Sequence, residues 1–292
     1  MPQSQSVRVL TIKPLLVLIA LAACIFTFQE SLAEENDGVE AIRKMSSLPW
    51  VAGPNEGVIS GKATIKFGAD YKFLGATATK QFLELMGNLP TDNHFTLSKK
   101  DYSWFAVFSF ADSGYIKDDE TINADELLEQ LKKGNASANE ERKRHGLHVL
   151  YLEGWFVPPR YDQDTKRLEW GTRIRSEGAS TADIVNYSTR ILGRTGVMHA
   201  TLVSAPEELQ KDVVEFKAAL RKFSFNPGEK YSEFRQGDKV AEYGLAALIV
   251  GGAAAAAAKS GAGKALFKFI GIAIVLGIAA IAAFLKRIMG KN

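Results

Sequence analysis

The densest run of carboxylates in the chain is Asp118-Asp119-Glu120. Clustered carboxylate oxygens are what a divalent cation needs. The run lacks the D-x-D-x-D-G register of a calcium loop. Acids between a strand and a helix more often favour the turn and the helix N-terminus. A second group is aromatic: Trp155, Tyr161 and Trp170 surround a proline-rich turn, with Glu153 and Glu169 nearby. Rings beside carboxylates suit a sugar-binding groove, and two carboxylates could hydrolyse a glycoside. The commoner role of Trp and Tyr in a hairpin is cross-strand packing. Arg190 and Arg194 flank a glycine-containing turn and could hold a phosphate or carboxylate. Trp155, Tyr161, Trp170, Arg190 and Arg194 are therefore the candidate ligand-binding residues.

Other chemistries lack their residues. His94, His145, His148 and His199 show no paired zinc-ligand spacing. No G-x-S-x-G elbow supports a hydrolase triad. Gly193-Arg194-Thr195-Gly196 is not a phosphate loop, and Gly263-Lys264 lacks the hydroxyl that would follow in one. Cys24 is the only cysteine. These observations imply no cofactor and no metal, and they point away from an enzyme.

The elements that must position these residues alternate short strands with a few helices. Val58 to Phe67 and Tyr71 to Leu74 read as strands, and Thr77 to Met86 as a helix closed by Gly87. Tyr102 to Phe110 is apolar on both faces and so belongs centrally in a sheet. Asn123 followed by Glu126 forms a capping box opening a helix that Gly134-Asn135 is expected to break. His148 to Val157 and Arg167 to Arg175 form one hairpin, joined by a loop of Pro158, Pro159, Asp162 and Asp164. Ile184 to Leu192 and Val197 to Ser204 form another. Pro206 leads into an amphipathic helix ending near Lys222, followed by Phe223-Ser224-Phe225. The expected fold is α+β, an antiparallel sheet of hairpins packed with helices. Its order, notably the closing helix before Phe-x-Phe, resembles the PsbP/Mog1-like fold.

The ends of the chain carry localisation signals. Arg8 and Lys13 precede an apolar run, Leu15 to Phe28, with small residues Ser31 and Ala33 before Glu34, the layout of a secretory signal over residues 1–33. Leu21-Ala22-Ala23-Cys24 also resembles a lipobox, so lipidation at Cys24 is an alternative to cleavage after Ala33. Near the C-terminus, Ala265 to Leu285 is apolar except for Lys268 and is followed by Lys286-Arg287, as in a membrane span with a cytoplasmic basic end. Gly244 to Ala258 is apolar too, which leaves a two-segment hairpin as the alternative to a single span. The expected organisation is an exported domain over 34–240, an Ala/Gly-rich juxtamembrane segment over 241–264, a transmembrane helix over 265–287 and a tail over 288–292.

Charge follows this division. The whole chain is +3, but residues 259–292 hold six cations and no acid, and residues 34–258 hold 28 basic against 32 acidic groups. A mildly acidic domain argues against nucleic acid as a partner. The implied partners are the membrane and another envelope protein.

Several strings together resemble a family of bacterial membrane-anchored proteins, domain of unknown function 2167. They are Gly114 to Glu120, Gly154-Trp155, Tyr161-Asp162, Leu168-Glu169-Trp170, Asn186-Tyr187, Leu192 to Gly196 and Gly237 to Leu245. The resemblance implies a signal peptide, an exported domain and a C-terminal anchor. It implies no activity and no functional residue. With the basic C-terminal end, the expected location is the bacterial inner membrane, crossed once, with the domain in the periplasm. A membrane-anchored interaction protein is the leading expectation, with a small-ligand or glycan-binding module as the alternative.

Overall fold

The structure, a computed structural model, describes residues 40–178 and 183–251. The expected signal segment, Cys24 and the apolar stretch over 265–285 lie outside the described residues. Among the described residues no helix is long and apolar enough to cross a membrane. The chain divides into two compact units, residues 1–44 and 45–292. The described part of the first, residues 40–44, is helical, and Arg43 and Lys44 reach back to Glu40.

The second unit is built on an eight-stranded antiparallel sheet. In chain order its strands are β1 (Val51–Ala52), β4 (Tyr71–Leu74), β5 (Phe95–Lys99), β6 (Phe105–Ala111), β7 (Leu150–Asp162), β8 (Arg167–Ser176), β9 (Asp183–Leu192) and β10 (Val197–Ser204). They lie side by side as β1-β4-β5-β6-β10-β9-β8-β7. A second sheet, ordered β11-β3-β2, comprises β2 (Asn55–Ile59), β3 (Ala63–Phe67) and β11 (Phe223–Phe225). The helices are α1 (Ala76–Leu85), α2 (Ala124–Arg144), α3 (Leu209–Leu220) and α4 (Leu245–Val250), and Tyr231–Glu233 form a 3-10 turn.

The α+β reading holds, as does the central placement of the aromatic strand. Trp104, Ala106 and Phe108 enter a core shared with Ile65, Phe216, Leu220 and Phe225, so the small sheet and α3 cover that face. Phe105 points the other way, against Phe82 of α1 at 5.1 Å between ring centroids. Burying rings on both faces places β6 in the interior of its sheet, where each removes a large apolar area from water.

Three local readings are corrected. The strand expected over 58–67 is a hairpin, because Ser60 and Gly61 take φ of 52° and 65° and turn the chain between β2 and β3. The loop expected after Val157 is strand through Asp162, with register shifts along β7 that accommodate Pro158 and Pro159. Helix α2 runs unbroken through Gly134 and Asn135. Its reason is tertiary. Among the described residues β7 is the last strand of the sheet, so alternate peptide groups along it have no neighbouring strand. Asn139 accepts from Leu150 N at 3.0 Å and donates to Leu150 O at 2.7 Å, and Asn135 accepts from Leu152 N at 3.1 Å. Two asparagines thus satisfy buried backbone groups that would otherwise be orphaned, and buried Gly134 lies on the same helix. Packing overrides the low helix propensity of Gly and Asn.

Candidate functional site

Strings separated by more than a hundred residues meet at the Gly193–Gly196 end of the sheet. The chain after β6 bridges in parallel to the chain after the 3-10 turn at Tyr115 and Val240. Tyr115 N donates to Lys239 O at 2.8 Å, and Ala241 N donates to Tyr115 O at 2.9 Å. Arg194, in the β9–β10 turn, holds Asp238 through two parallel bonds of 2.7 Å each. This fork keeps the Asp238 carboxyl down at about 2. Glu120 accepts from Ala246 N at 2.9 Å, at the start of α4. The contacts form a seam binding residues 238–246 to the domain, and Leu245, Leu248 and Ile249 of α4 are buried.

Asp118 is the hub beside this seam. Its Oδ2 accepts from Lys166 Nζ at 2.7 Å and from the Tyr161 hydroxyl at 2.8 Å. The Tyr231 hydroxyl lies 3.1 Å from Oδ1 and 2.9 Å from Ile116 O. Burial alone would raise the Asp118 carboxyl, but the bonds from Lys166, Tyr161 and Tyr231 hold it below its ordinary value. Burial and the negative hub together raise Tyr161 and Tyr231 far above the usual phenol range. These tyrosines are therefore neutral donors. Tyr115 stacks on Tyr231 at 4.4 Å and meets Phe234 at 4.2 Å.

A groove of about 600 Å³ opens next to the hub. Tyr231, Phe234 and strand β11 line it, together with Lys166, Arg167 and Lys230. Arg167 donates to Leu220 O at 3.1 Å, while its buried Nε has no partner. Asp164 is the one carboxylate in the lining.

The five candidate ligand-binding residues do not share one open surface. Trp170 is 3% exposed, and the Arg190 guanidinium lies 4.7 Å over its ring. Arg190 is buried, reaches Thr189 O at 3.4 Å and leaves Nε without a partner. Burial lowers its pKa. Trp155 is half-buried and donates from Nε1 to Ala124 O at 3.1 Å, at the first residue of α2. Tyr161 belongs to the Asp118 hub, and Arg194 to the seam. Glu153 pairs with Arg175 at 2.8 Å, while Glu169 accepts from Tyr187 at 2.9 Å and from Lys217 at 2.6 Å.

The Asp118-Asp119-Glu120 run divides its work, because Asp118 faces the hub, Glu120 caps α4 and Asp119 is exposed. Among the described residues no three His, Cys, Asp or Glu side chains gather as metal ligands. Lys166, Tyr231, Phe234 and Lys230 carried no signal in the sequence. The strings Gly114 to Glu120 and Gly237 to Leu245 did, but nothing in either shows that they pair.

The fold is similar to two solved structures. One is the solution structure of cyanobacterial PsbP (CyanoP) from Synechocystis sp. PCC 6803, at 10% identity and a TM-score of 0.36, covering 60% of this chain and 94% of that one. The other is the Saccharomyces cerevisiae Ran-binding protein Mog1p, at 10% identity and a TM-score of 0.33, covering 63% and 100%. At these scores the likeness extends to the outline of the fold alone. No curated protein matches the sequence. The model of the family described as "Protein of unknown function (DUF2167)" matches residues 53–282. That match covers most of the chain and includes both sides of the seam, and on it the chain belongs to the DUF2167 family.

Proposed function

We propose that the chain is a membrane-anchored envelope protein whose exported domain acts by binding another protein, without catalysis. The observation that carries this reading is the seam. Residues 238–250 lead towards the apolar, lysine-flanked sequence of the C-terminus. A domain on a slack tether needs no contact with its connector. Here the connector is held by a strand bridge, a forked Arg194–Asp238 pair and the Glu120 cap. Fixing that pose orders many backbone dihedrals at an entropic cost. A fixed pose is useful where one surface of a domain must face a partner at the bilayer. The basic C-terminal end, with Lys286, Arg287 and Lys291, fits an inner-membrane span with the domain on the periplasmic side.

The test is a cross-linked pull-down from solubilised membranes, comparing the full chain with a version ending at Gly251. An earlier stop would remove Asp238 and α4, which belong to the fold. A partner captured by both versions places recognition in the folded domain. One captured by the full chain alone assigns it to the membrane segment. Capture by neither refutes the proposal.

A further inference from the structure

We infer that the groove beside β11 takes an extended acidic segment of a partner protein, added as a strand to the open edge of β11. This rests on the protein-binding reading above and names the chemistry of the partner. Three observations lead to it.

The first is the direction of the β11 backbone. Lys66 N donates to Lys222 O at 3.2 Å, and Asn226 N donates to Lys62 O at 2.9 Å. Hydrogen-bonded positions alternate along an antiparallel ladder. Between those two pairs, Ser224 must therefore be the position that exchanges bonds with Thr64, its register partner. Phe223 and Phe225 then turn their N–H and C=O groups away from β3. β11 is the terminal strand of its sheet, so among the described residues this side has no neighbouring strand.

The second is what lies there. Phe223, Ser224 and Phe225 themselves line the groove, so the open edge of β11 lies beside it. An edge strand left open in this way is a template for another chain. The Phe223 and Phe225 rings join the core, which holds the template rigid.

The third is charge. The groove presents Lys166, Arg167 and Lys230 against Asp164 alone, on a domain that is otherwise mildly acidic. Lys166 is shared with Asp118, and Arg167 donates to Leu220 O with its Nε buried, so exposed Lys230 is the cation most open to an incoming carboxylate. Side chains of an added strand point alternately to its two faces. Acidic residues at every second position would meet these cations, while apolar ones between them would reach Phe234, itself 39% exposed.

The probe is a fluorescein-labelled peptide of alternating Glu and Val, titrated against the full chain in neutral detergent micelles. Comparators are a Lys-Val peptide and a Glu-Val peptide N-methylated at alternate residues. Strand addition predicts binding of the first peptide alone. Its affinity should fall about tenfold with Lys230→Glu and less than about twofold with Lys211→Glu, an exposed lysine on α3. Equal binding of the N-methylated peptide would overturn strand addition. Indifference to Lys230→Glu would overturn the groove, and no binding up to about millimolar peptide would overturn both. Repeating the membrane pull-down with Lys230→Glu separates this inference from the reading beneath it. A partner still captured leaves protein binding intact and removes the groove; capture by neither the wild type nor the variant removes both.

Discussion

Replacing Gly114 with alanine probes the seam at its tightest point. Gly114 has φ of +89°, and a Cβ there would sit 2.6 Å from Lys239 O and 3.0 Å from Lys239 Cγ. The backbone conformation alone costs an L-residue about 1–2 kcal/mol. Overlap with a backbone oxygen adds about 1–3 kcal/mol. Against this, the two bonds between Tyr115 and residues 239 and 241 contribute about 0.5–1.5 kcal/mol each. The strain is at least comparable to what the bridge returns, so the cheapest relief is opening of the Tyr115 bridge at residues 239–241, while the Arg194–Asp238 fork, the Glu120 cap and buried Leu245 keep their places and the sheet stays folded. Hydrogen exchange of the full chain, followed by mass spectrometry, reads this directly. Peptides containing Tyr115 and Ala241 should lose about 30- to 1,000-fold of their protection, and peptides from β6 and β10 should be unchanged. Gly146→Ala is the control, since Gly146 has φ of +67° with nothing near its would-be Cβ. It should lower overall stability by about 1 kcal/mol and leave the seam closed. Seam protection within threefold of wild type in Gly114→Ala would refute the reasoning.

Other substitutions follow from the same geometry. Asn139→Ala removes both bonds to Leu150 and strands two buried backbone groups, so stability should fall by about 2–4 kcal/mol in a denaturant melt; a loss below about 0.5 kcal/mol would mean that β7 does not depend on α2. Arg190→Met replaces a buried guanidinium that no carboxylate among the described residues faces, and should raise stability by about 1–4 kcal/mol. A loss of stability instead would mean that the charge is compensated. Lys72 lies 3.2 Å over the Tyr102 ring and 4.6 Å over that of Trp50, and burial lowers its pKa from 10.5 to about 8. Between those values the unfolded chain binds a proton that the folded chain has given up, so stability rises with pH. Melts from pH 8 to 9.5 should show that rise in the wild type relative to Lys72→Met; parallel slopes would contradict it.

The large pattern of the fold is visible in the residues because burial dictates it. Tyr102 to Phe110 carries apolar side chains on both faces, Trp104, Ala106 and Phe108 on one and Phe105 and Val107 on the other, as an interior strand requires. The two hairpins after His148 alternate in the way paired strands require. What sequence conceals is compensation at a distance. Gly134-Asn135 reads as a helix break because its partners, the unpaired amides of β7, are remote in the chain. Strand β5 (Phe95–Lys99) gives little signal in the sequence, since five residues between a turn and a polar stretch show little periodicity. The site follows the same rule. Tyr161 and Arg194 stand out by their types, but their roles are set by Asp118 and Asp238, which nothing local links to them. Trp170 reads as a ligand platform until the register places it under Arg190 within the domain. The open edge of β11 is a property of pairing, and no residue type announces it.

Cysteine accessibility in intact cells tests most directly the central claim that an exported domain is carried on a single C-terminal anchor. Val214 is 68% exposed on α3, and Ser260 and Asn292 flank the apolar stretch. With a membrane-impermeant maleimide admitted past the outer membrane, Val214→Cys and Ser260→Cys should label and Asn292→Cys should not. Labelling of Val214→Cys and Asn292→Cys with Ser260→Cys protected would establish a hairpin anchor. Protection of Val214→Cys would place the domain in the cytoplasm and contradict the account.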